Sequence, residues 1–386
     1  MPQLTKTELK MIYLDNAATT RIDDEVLAAM LPFMQESYGN PQSQHSAGRV
    51  SANAVIAARD KTAHIMGCNP EEVYFLSGGT EAGNTALKGV CAANGKGHLV
   101  ISAIEHPTLI ESAEDMRKFG FEITYVNPDK RGIVGVQSVK DAVREDTIFC
   151  AVMAANNEVG TIQPVEEIGD FCRERGIFYY CDCVQTAGVL PMPTKHCDCL
   201  GISAHKFYGP KGCGAIYLKR GSKISRLISG GMQERGFRGG TLNAAAVVGL
   251  AAALEKAEKN RAENNKKIAA LRDGFVARAL AEIDGTHLNG DGKLRVPSNA
   301  NISFDGCDGE NLLFLLDLKG IAVSTGSACS AGAVTPSRVL TAMGLDERRV
   351  KSAVRFTFGK YNSENEIDFV INALKEAVEK IRAVRS

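Results

Sequence analysis

The chain has 386 residues, 44% of them hydrophobic, and its 45 Lys plus Arg are balanced by 45 Asp plus Glu. With a net charge of zero, no strong charge bias points to nucleic acid or to a membrane surface, and the length suits two or three domains around a large core. Eleven cysteines, an odd number spread through a long chain, argue against a disulfide framework and for a reducing cytoplasm.

The opening stretch MPQLTKTELKMIYLD lacks the apolar core of a secretory signal. Strands are expected at 71–77, 98–104, 121–126, 147–155, 176–182, 199–204 and 214–220, where β-branched and apolar residues cluster. Helical patterns lie between them, such as PVEEIGDFCRERG (164–176), with Pro164 suited to a first helical turn. This alternation predicts βαβ units and a mostly parallel sheet. Residues 244–283 hold no proline and predict one long connecting helix, or two. The apolar run AAAVVGLAAAL within them is too short to cross a bilayer. Strand patterns return at 301–306 and 352–359. In the closing segment, Ile367, Val370, Ile371, Leu374, Val378 and Ile381 share one helical face. The expectation is a large α/β domain followed by a smaller α+β domain.

Ligands of open parallel sheets sit beyond the carboxyl ends of the strands, so the residues that follow each strand are the candidates. SGGTEAGN (77–84) puts two glycines and two hydroxyls ahead of a helical pattern, where free N–H groups and the helix dipole favour a phosphate. An ordinary strand-to-helix turn with Thr80 near the cap accounts for it equally. Glu105-His106-Pro107 and Asn156-Asn157-Glu158 follow two other strands. Asp182 ends a buried strand, where a carboxylate is costly unless paired. It reads either as a helix cap or as the partner of a protonated ring nitrogen. His205-Lys206 end the run CLGISA. A lysine in a dry pocket can condense with an aldehyde, and pyridoxal phosphate (PLP) is the common aldehyde cofactor. PLP asks for a lysine, an acidic partner and a phosphate cup; Lys206, Asp182 and the 77–81 loop offer them, with Lys211 a rival to Lys206.

Cys329 lies among small residues in STGSACSAGAV, a segment suited to an accessible nucleophile or to a plain loop; Thr335-Pro336 are expected to open the next helix. Arg355 shares a strand face with Thr357 in AVRFTFG and suits either a substrate carboxylate or a structural ion pair. Cys181-x-Cys183 and Cys197-x-Cys199 have one intervening residue, fewer than zinc pairs usually use, and are expected to face core; no metal is expected.

Ten segments in order carry a family resemblance: YLDNAATT (13–20), GNPQSQHSAGR (39–49), SGGTEAGN, EH (105–106), NNEVGTIQP (156–164), CDCVQTAG (181–188), SAHKFYGPKGCG (203–214), ERGFRGGTLN (234–243), STGSACSAG (324–332) and VRFTFG (354–359). Together they resemble the NifS/IscS-type cysteine desulfurases of the class V aminotransferase group, over about residues 12 to 370. The resemblance implies a PLP-dependent transferase of fold type I, with a mostly parallel seven-stranded sheet in a large PLP-binding domain (15–260). A small domain (1–14 and 261–386) would carry the Cys329 loop. The implied activity removes sulfur from L-cysteine to give L-alanine and a persulfide, in the cytoplasm and in a homodimer. The alternative is a related enzyme of the group, a selenocysteine lyase or an aminotransferase.

By position, the resemblance gives Lys206 the covalent hold on PLP, Asp182 the pyridine nitrogen and Gln185 the phenolic oxygen. His106 stacks on the ring and moves protons. Gly79 with its backbone donor, Thr80, Ser203 and His205 bind the phosphate, joined by Thr241 of the second subunit. Asn157 and Arg355 hold the substrate carboxylate, and Cys329 accepts the sulfur. The implied acceptor is an iron–sulfur scaffold or a tRNA-thiolation protein, with no direct nucleic-acid or membrane contact. Gln42 and Gly79 depart from the commoner residues of the family and remove no group that the chemistry needs.

Overall fold

The computed structural model describes residues 11–325 and 336–385. Cys329 and Thr335 lie outside the described residues. The chain divides into two compact units. The smaller holds the residues up to Ala18, Asn157–Gly160 and those from Ala262 onward; the larger holds Thr19–Asn156 and Thr161–Arg261.

After a two-residue strand, β1 (Ile12–Tyr13), that belongs to the smaller unit, the larger unit begins with helices α1 (Asp24–Gln35) and α2 (Ser46–Met66). The Asp23 side chain caps α1 by accepting from Glu25 N–H, and α2 stops at Gly67, whose left-handed φ of 69° is open to glycine at no steric cost. Then follow β2 (Val73–Leu76), α3 (Gly79–Asn94), β3 (His98–Ser102), α4 (Pro107–Arg117), β4 (Glu122–Val126), α5 (Val136–Ala142), β5 (Thr147–Ala151), α6 (Val165–Glu174), β6 (Phe178–Asp182), β7 (Cys199–Ser203), β8 (Gly214–Leu218) and α7 (Ala244–Lys259). Seven strands form one sheet in the order β2-β8-β7-β6-β5-β3-β4. β8 runs antiparallel to both neighbours and every other pair is parallel, as the alternation of elements predicts.

One face of this sheet is buried by α3 and α4. Ala82, Ala86, Leu87 and Val90 pack with Leu99, Ile101, Phe149 and Tyr180 in one apolar cluster. The small residues of α3 also let it press on α4: a Cβ at Gly83 would lie 2.5 Å from Leu109 Cδ2. Pro164 sits at the N-cap of α6, one position ahead of the first turn where the sequence places it.

The smaller unit contains α8 (Arg261–Glu282), which begins at the junction between the units, then β9 (Thr286–Asn289), β10 (Asn299–Phe304), α9 (Gly309–Asp317), β11 (Ile321–Ala322), α10 (Arg338–Ala342), α11 (Glu347–Lys351), β12 (Ala353–Thr357) and α12 (Asn365–Arg385). Strands β12-β10-β9 form an antiparallel sheet and β1 pairs with β11 in parallel. Phe275, Ile302, Phe304, Leu316, Phe356, Ile371 and Leu374 build its core. The expected stripe on α12 is buried along its length. α7 and α8 are separate helices, with Asn260 ending the first. Ser337 caps α10 by accepting from Leu340 N–H, in place of the expected Thr335-Pro336 start.

His98, fully buried in β3, ties three strands together. Its Nε2 lies 2.8 Å from Thr124 Oγ1 on β4, and its Nδ1 lies 2.8 Å from Thr147 Oγ1 on β5. Thr147 Oγ1 already accepts Arg144 N–H, so its own proton is directed at Nδ1, which makes the neutral Nε2–H tautomer the fitted one. Burial, then the Arg144 cation, hold the His98 pKa below the usual 6.5, against opposing pulls from Asp146 and Glu122. Because the folded value is depressed, the unfolded chain binds more protons below pH 6.5 and stability is lost as pH falls through that range. The urea midpoint of the wild-type protein is expected to drop between pH 7 and pH 5. His98→Gln, less stable at pH 7, is expected to drop less over the same interval; an unchanged pH slope would assign the effect to other groups.

Candidate active site

The parallel strands of the larger unit end along one rim, and five expected residues stand there. Asp182 is the last residue of β6, Ser203 the last of β7, and His205-Lys206 follow in a single 3-10 turn (Ala204–Lys206). His106 is the N-cap of α4, just beyond β3. The register sets Asp182 beside Gly201, so the ends of β6 and β7 lie adjacent.

Asp182 is 7% exposed, and its Oδ1 accepts Val184 N–H at 2.9 Å. Burial pushes its pKa up to about 6, against the pull of that hydrogen bond and of the Lys206 cation. The helix-cap reading of Asp182 does not hold, because a turn rather than a helix follows it. Lys206 is half-buried and its charge also acts on His205. Burial first, then Lys206 and Lys211, bring the His205 pKa down to about 4, so its ring is neutral at physiological pH. His205 Nδ1 lies 3.0 Å from Thr19 Oγ1.

The start of α3 is built for an anion. Gly78, its N-cap, has φ 155°, a conformation that L side chains rarely adopt, and supplies no side chain to cap the first N–H groups. A Cβ at Gly78 would lie 3.4 Å from Ser203 Oγ, and one at Gly79 would lie 2.7 Å from Val184 Cγ2. The helix start is therefore packed directly against the ends of β6 and β7, with its dipole directed at the same rim. Thr108 joins this group to His106, which the sequence reading missed. Its hydroxyl lies 2.8 Å from His106 Nδ1 and 3.3 Å from Thr80 Oγ1, while its N–H donates to His106 Nδ1 at 3.2 Å. A hydroxyl two residues past His106 in EHPT was the available signal. Gln185 stands half-buried in the turn after Asp182. Thr241 is exposed, and no hydrogen bond among the described residues links it to Thr80, Ser203 or His205.

In the smaller unit, Arg355 on β12 is 4% exposed. Its Nη2 pairs with Asp15 Oδ1 at 2.8 Å and its Nη1 donates to Asn157 C=O at 2.9 Å, while Nε has no partner within the described structure. The ion pair with Asp15 is the structural role that the sequence left open, and together with the Asn157 carbonyl it uses two of the five donors of the guanidinium. Asn157–Gly160 belongs to this unit because Asn299 and Asn301 donate to Glu158 C=O and Val296 N–H donates to Gly160 C=O. The Cys-x-Cys pairs are buried, with Cys181 and Cys183 Sγ atoms 3.7 Å apart. Burial pushes the thiols of Cys181, Cys197 and Cys199 well up. Among the described residues, no group of three or more His, Cys, Asp or Glu is placed to hold a metal, and all the cysteines are free.

A family model described as "Aminotransferase class-V" matches residues 12–370. The chain belongs to the class-V aminotransferase family. "Cysteine desulfurase IscS" of Methanosarcina thermophila is 43% identical over 381 residues, covering 97% of this chain and 94% of that protein. A solved "NIFS-LIKE PROTEIN" superposes with a TM-score of 0.90 at 37% identity, covering 96% of this chain and all of that one. A structure titled "SspA in complex with cysteine" gives 0.81 at 32% identity, covering 91% of this chain and all of that one. Class-V aminotransferases use PLP, and the residues of the rim fit it. A buried carboxylate under a lysine charge suits a protonated ring nitrogen, and an uncapped helix start suits a phosphate.

Without cofactor, a carboxyl pKa raised from 3.8 to about 6 means that the folded chain holds more protons than the unfolded one between those values. Stability is then lost as pH rises through that window, on the order of 3 kcal/mol by pH 7. Apo Asp182→Asn is expected to melt above the apo wild type at pH 7.5, with the gap closing toward pH 4, and to lose that advantage when PLP is added. Equal melting temperatures of the two apo proteins at pH 7.5 would show that the Asp182 carboxylate is not strained.

Proposed function

We infer that this chain is a PLP-dependent cysteine desulfurase, a transferase that removes sulfur from L-cysteine and releases L-alanine. The observation that carries this reading is the buried Asp182 carboxylate held in the field of Lys206, beside an uncapped helix start, in a chain 43% identical to an enzyme named for that activity. A neighbouring structure at 32% identity whose title places cysteine in it favours the same substrate. The same names favour desulfuration over selenocysteine cleavage or amino transfer.

When bound, PLP supplies an electron sink for the charge left at the substrate Cα. In our reading Lys206 Nζ would hold PLP through its aldehyde group, Asp182 would pair with the ring nitrogen and Gln185 with the phenolic oxygen. The first N–H groups of α3, with Gly79, Thr80, Ser203 and the neutral His205, would hold the phosphate, joined by Thr241 of the second subunit. Neutral His205 binds as a hydrogen-bonding group and adds no charge, which leaves Lys206 as the cation acting on Asp182. Asn157 and the remaining donors of Arg355 hold the substrate carboxylate. Lys206 takes and returns the proton at Cα, and His106, its Nδ1 occupied by the Thr108 N–H, moves protons through Nε2. The Cys329 thiolate takes the substrate sulfur. The Cβ–S bond breaks, an S–S bond forms, and L-cysteine plus the Cys329 thiol become L-alanine plus the Cys329 persulfide. The persulfide sulfur then passes to an acceptor such as an iron–sulfur scaffold or a tRNA-thiolation protein.

We place the protein in the cytoplasm as a homodimer. The described cysteines are all free, which suits a reducing compartment, and among the described residues no helix is long and apolar enough to cross a membrane. Leu27, Leu31 and Met34 make an exposed apolar row on α1, and Val50 and Ile56 are exposed on α2. Such rows favour a second copy as their cover.

Mass spectrometry after exposure to L-cysteine tests this reading. One extra sulfur is expected on the Cys329 peptide, and none in Cys329→Ala, which still binds PLP and turns over no more than once. Alanine and sulfide formed by Cys329→Ala at the wild-type rate would overturn the nucleophile assignment. Lys206→Ala is expected to lose the absorbance of covalently held PLP and at least about 10²-fold in activity.

A further inference from the structure

The segment leading to Thr241 is held by groups that the chemistry above does not use. β2 is an edge strand, paired only with β8, so its outer backbone groups need another cover. Side chains supply it. The Val73 carbonyl accepts from Arg59 Nη1 at 2.6 Å and from Arg235 Nη2 at 2.8 Å, and Phe75 N–H donates to Glu234 Oε2 at 2.7 Å. Glu234 is 4% exposed and forks onto Arg59, Oε2 to Nη1 at 2.9 Å and Oε1 to Nη2 at 2.5 Å.

This buried pair holds an unfavourable backbone. Glu234 and Arg235 have φ of 45° and 56°, a left-handed conformation that is uphill for both residues. The Arg235 guanidinium lies 4.1 Å from the centre of the Tyr74 ring, and Phe237 packs on the same ring at 4.8 Å. A second fork follows: Arg238 Nε meets Glu81 Oε1 at 2.8 Å and Nη2 meets Oε2 at 3.1 Å. Glu81 lies in the first turn of α3 and its Oε2 also accepts Ser77 N–H at 2.7 Å. The limbs of the loop then close on each other. Gly239 N–H donates to Ile228 C=O at 3.0 Å, and a Cβ at Gly239 would lie 2.6 Å from Gly230 Cα. Thr241 emerges two residues later, exposed.

We propose that the Glu234–Arg59 and Glu81–Arg238 pairs form a two-point clamp that aims Thr241 out of its own subunit and into the phosphate site of the second copy. The proposal rests on the reading of Thr241 given above. Glu234, Arg59, Glu81 and Arg238 are thereby positioning residues. They touch neither cofactor nor substrate, and they hold a strained loop in the one shape that presents the hydroxyl. A loose loop would give up part of that hydrogen bond to the entropy of ordering.

The test reads PLP dissociation constants of the apo dimer by absorbance titration. Thr241→Ala is expected to weaken PLP about tenfold, the loss of one charge-assisted hydrogen bond. Glu234→Gln is expected to weaken it comparably, and the double variant no more than Thr241→Ala alone, because both act through one contact. Arg238→Lys repeats the measurement without touching the edge of β2, should Glu234→Gln fail to fold. Mixed dimers add a readout that a purely structural role would not move. A Lys206→Ala subunit with an intact clamp, paired with a Glu234→Gln subunit, should restore wild-type affinity at one site per dimer. Wild-type affinity in both Glu234→Gln and Arg238→Lys overturns the clamp, as do losses that multiply with that of Thr241→Ala. If Thr241→Ala itself binds PLP as tightly as the wild type, the reading of Thr241 falls, and the clamp with it.

Discussion

A carboxylate at the end of a buried strand is costly in a folded chain, and Asp182 stands in such a place. Its burial raises the free energy of the charged form, and the Lys206 cation only partly offsets that. The register of β6 on β7 brings the two groups to the same rim, since it sets Asp182 level with Gly201 and lets the chain run on through Ser203 to Lys206. A slip of one residue would turn Asp182 to the other face of the sheet and uncouple the pair. The parallel sheet is in this sense what makes the site.

The anion end of the rim rests on a different constraint, the absence of side chains. Gly78 adopts a backbone that disfavours any Cβ, and Gly79 meets Val184 where a Cβ would stand. The first N–H groups of α3 are thus left for a ligand. Thr108 then ties the start of α4 to the start of α3, so that His106 and the uncapped helix start share one hydrogen-bonded chain. In the smaller unit Arg355 is pre-set in the same manner. Asp15 and the Asn157 carbonyl fix the orientation of the guanidinium while leaving it donors to spare.

Charge is handled economically throughout. His205 is kept neutral by burial beside two lysines, so the field at Asp182 comes from Lys206. The buried acids Glu81 and Glu234 each meet an arginine fork and a backbone N–H. These pairs act on backbone position more than on chemistry, and the Glu234–Arg59 pair covers the Val73 and Phe75 backbone groups that the edge strand β2 would otherwise expose.

By itself the sequence determined the seven strands of the large sheet, the long apolar face of α12, and the placement of Asp182, His106 and Lys206 just past strand ends. Runs of β-branched residues and helical periods are local patterns and survive in one dimension. β9 escaped because THLN is a short, half-buried edge strand with no alternation, and the Thr335-Pro336 cap was displaced by Ser337, two residues on. Only the tertiary structure decided that Thr108 bridges His106 to Thr80, that Arg355 spends two donors on Asp15 and Asn157, and that Glu234 and Glu81 grip the segment before Thr241. Each of these joins groups from separate elements, from 28 residues apart for Thr108 and Thr80 to 340 for Arg355 and Asp15, and no local periodicity encodes which distant partner a buried charge or hydroxyl will meet.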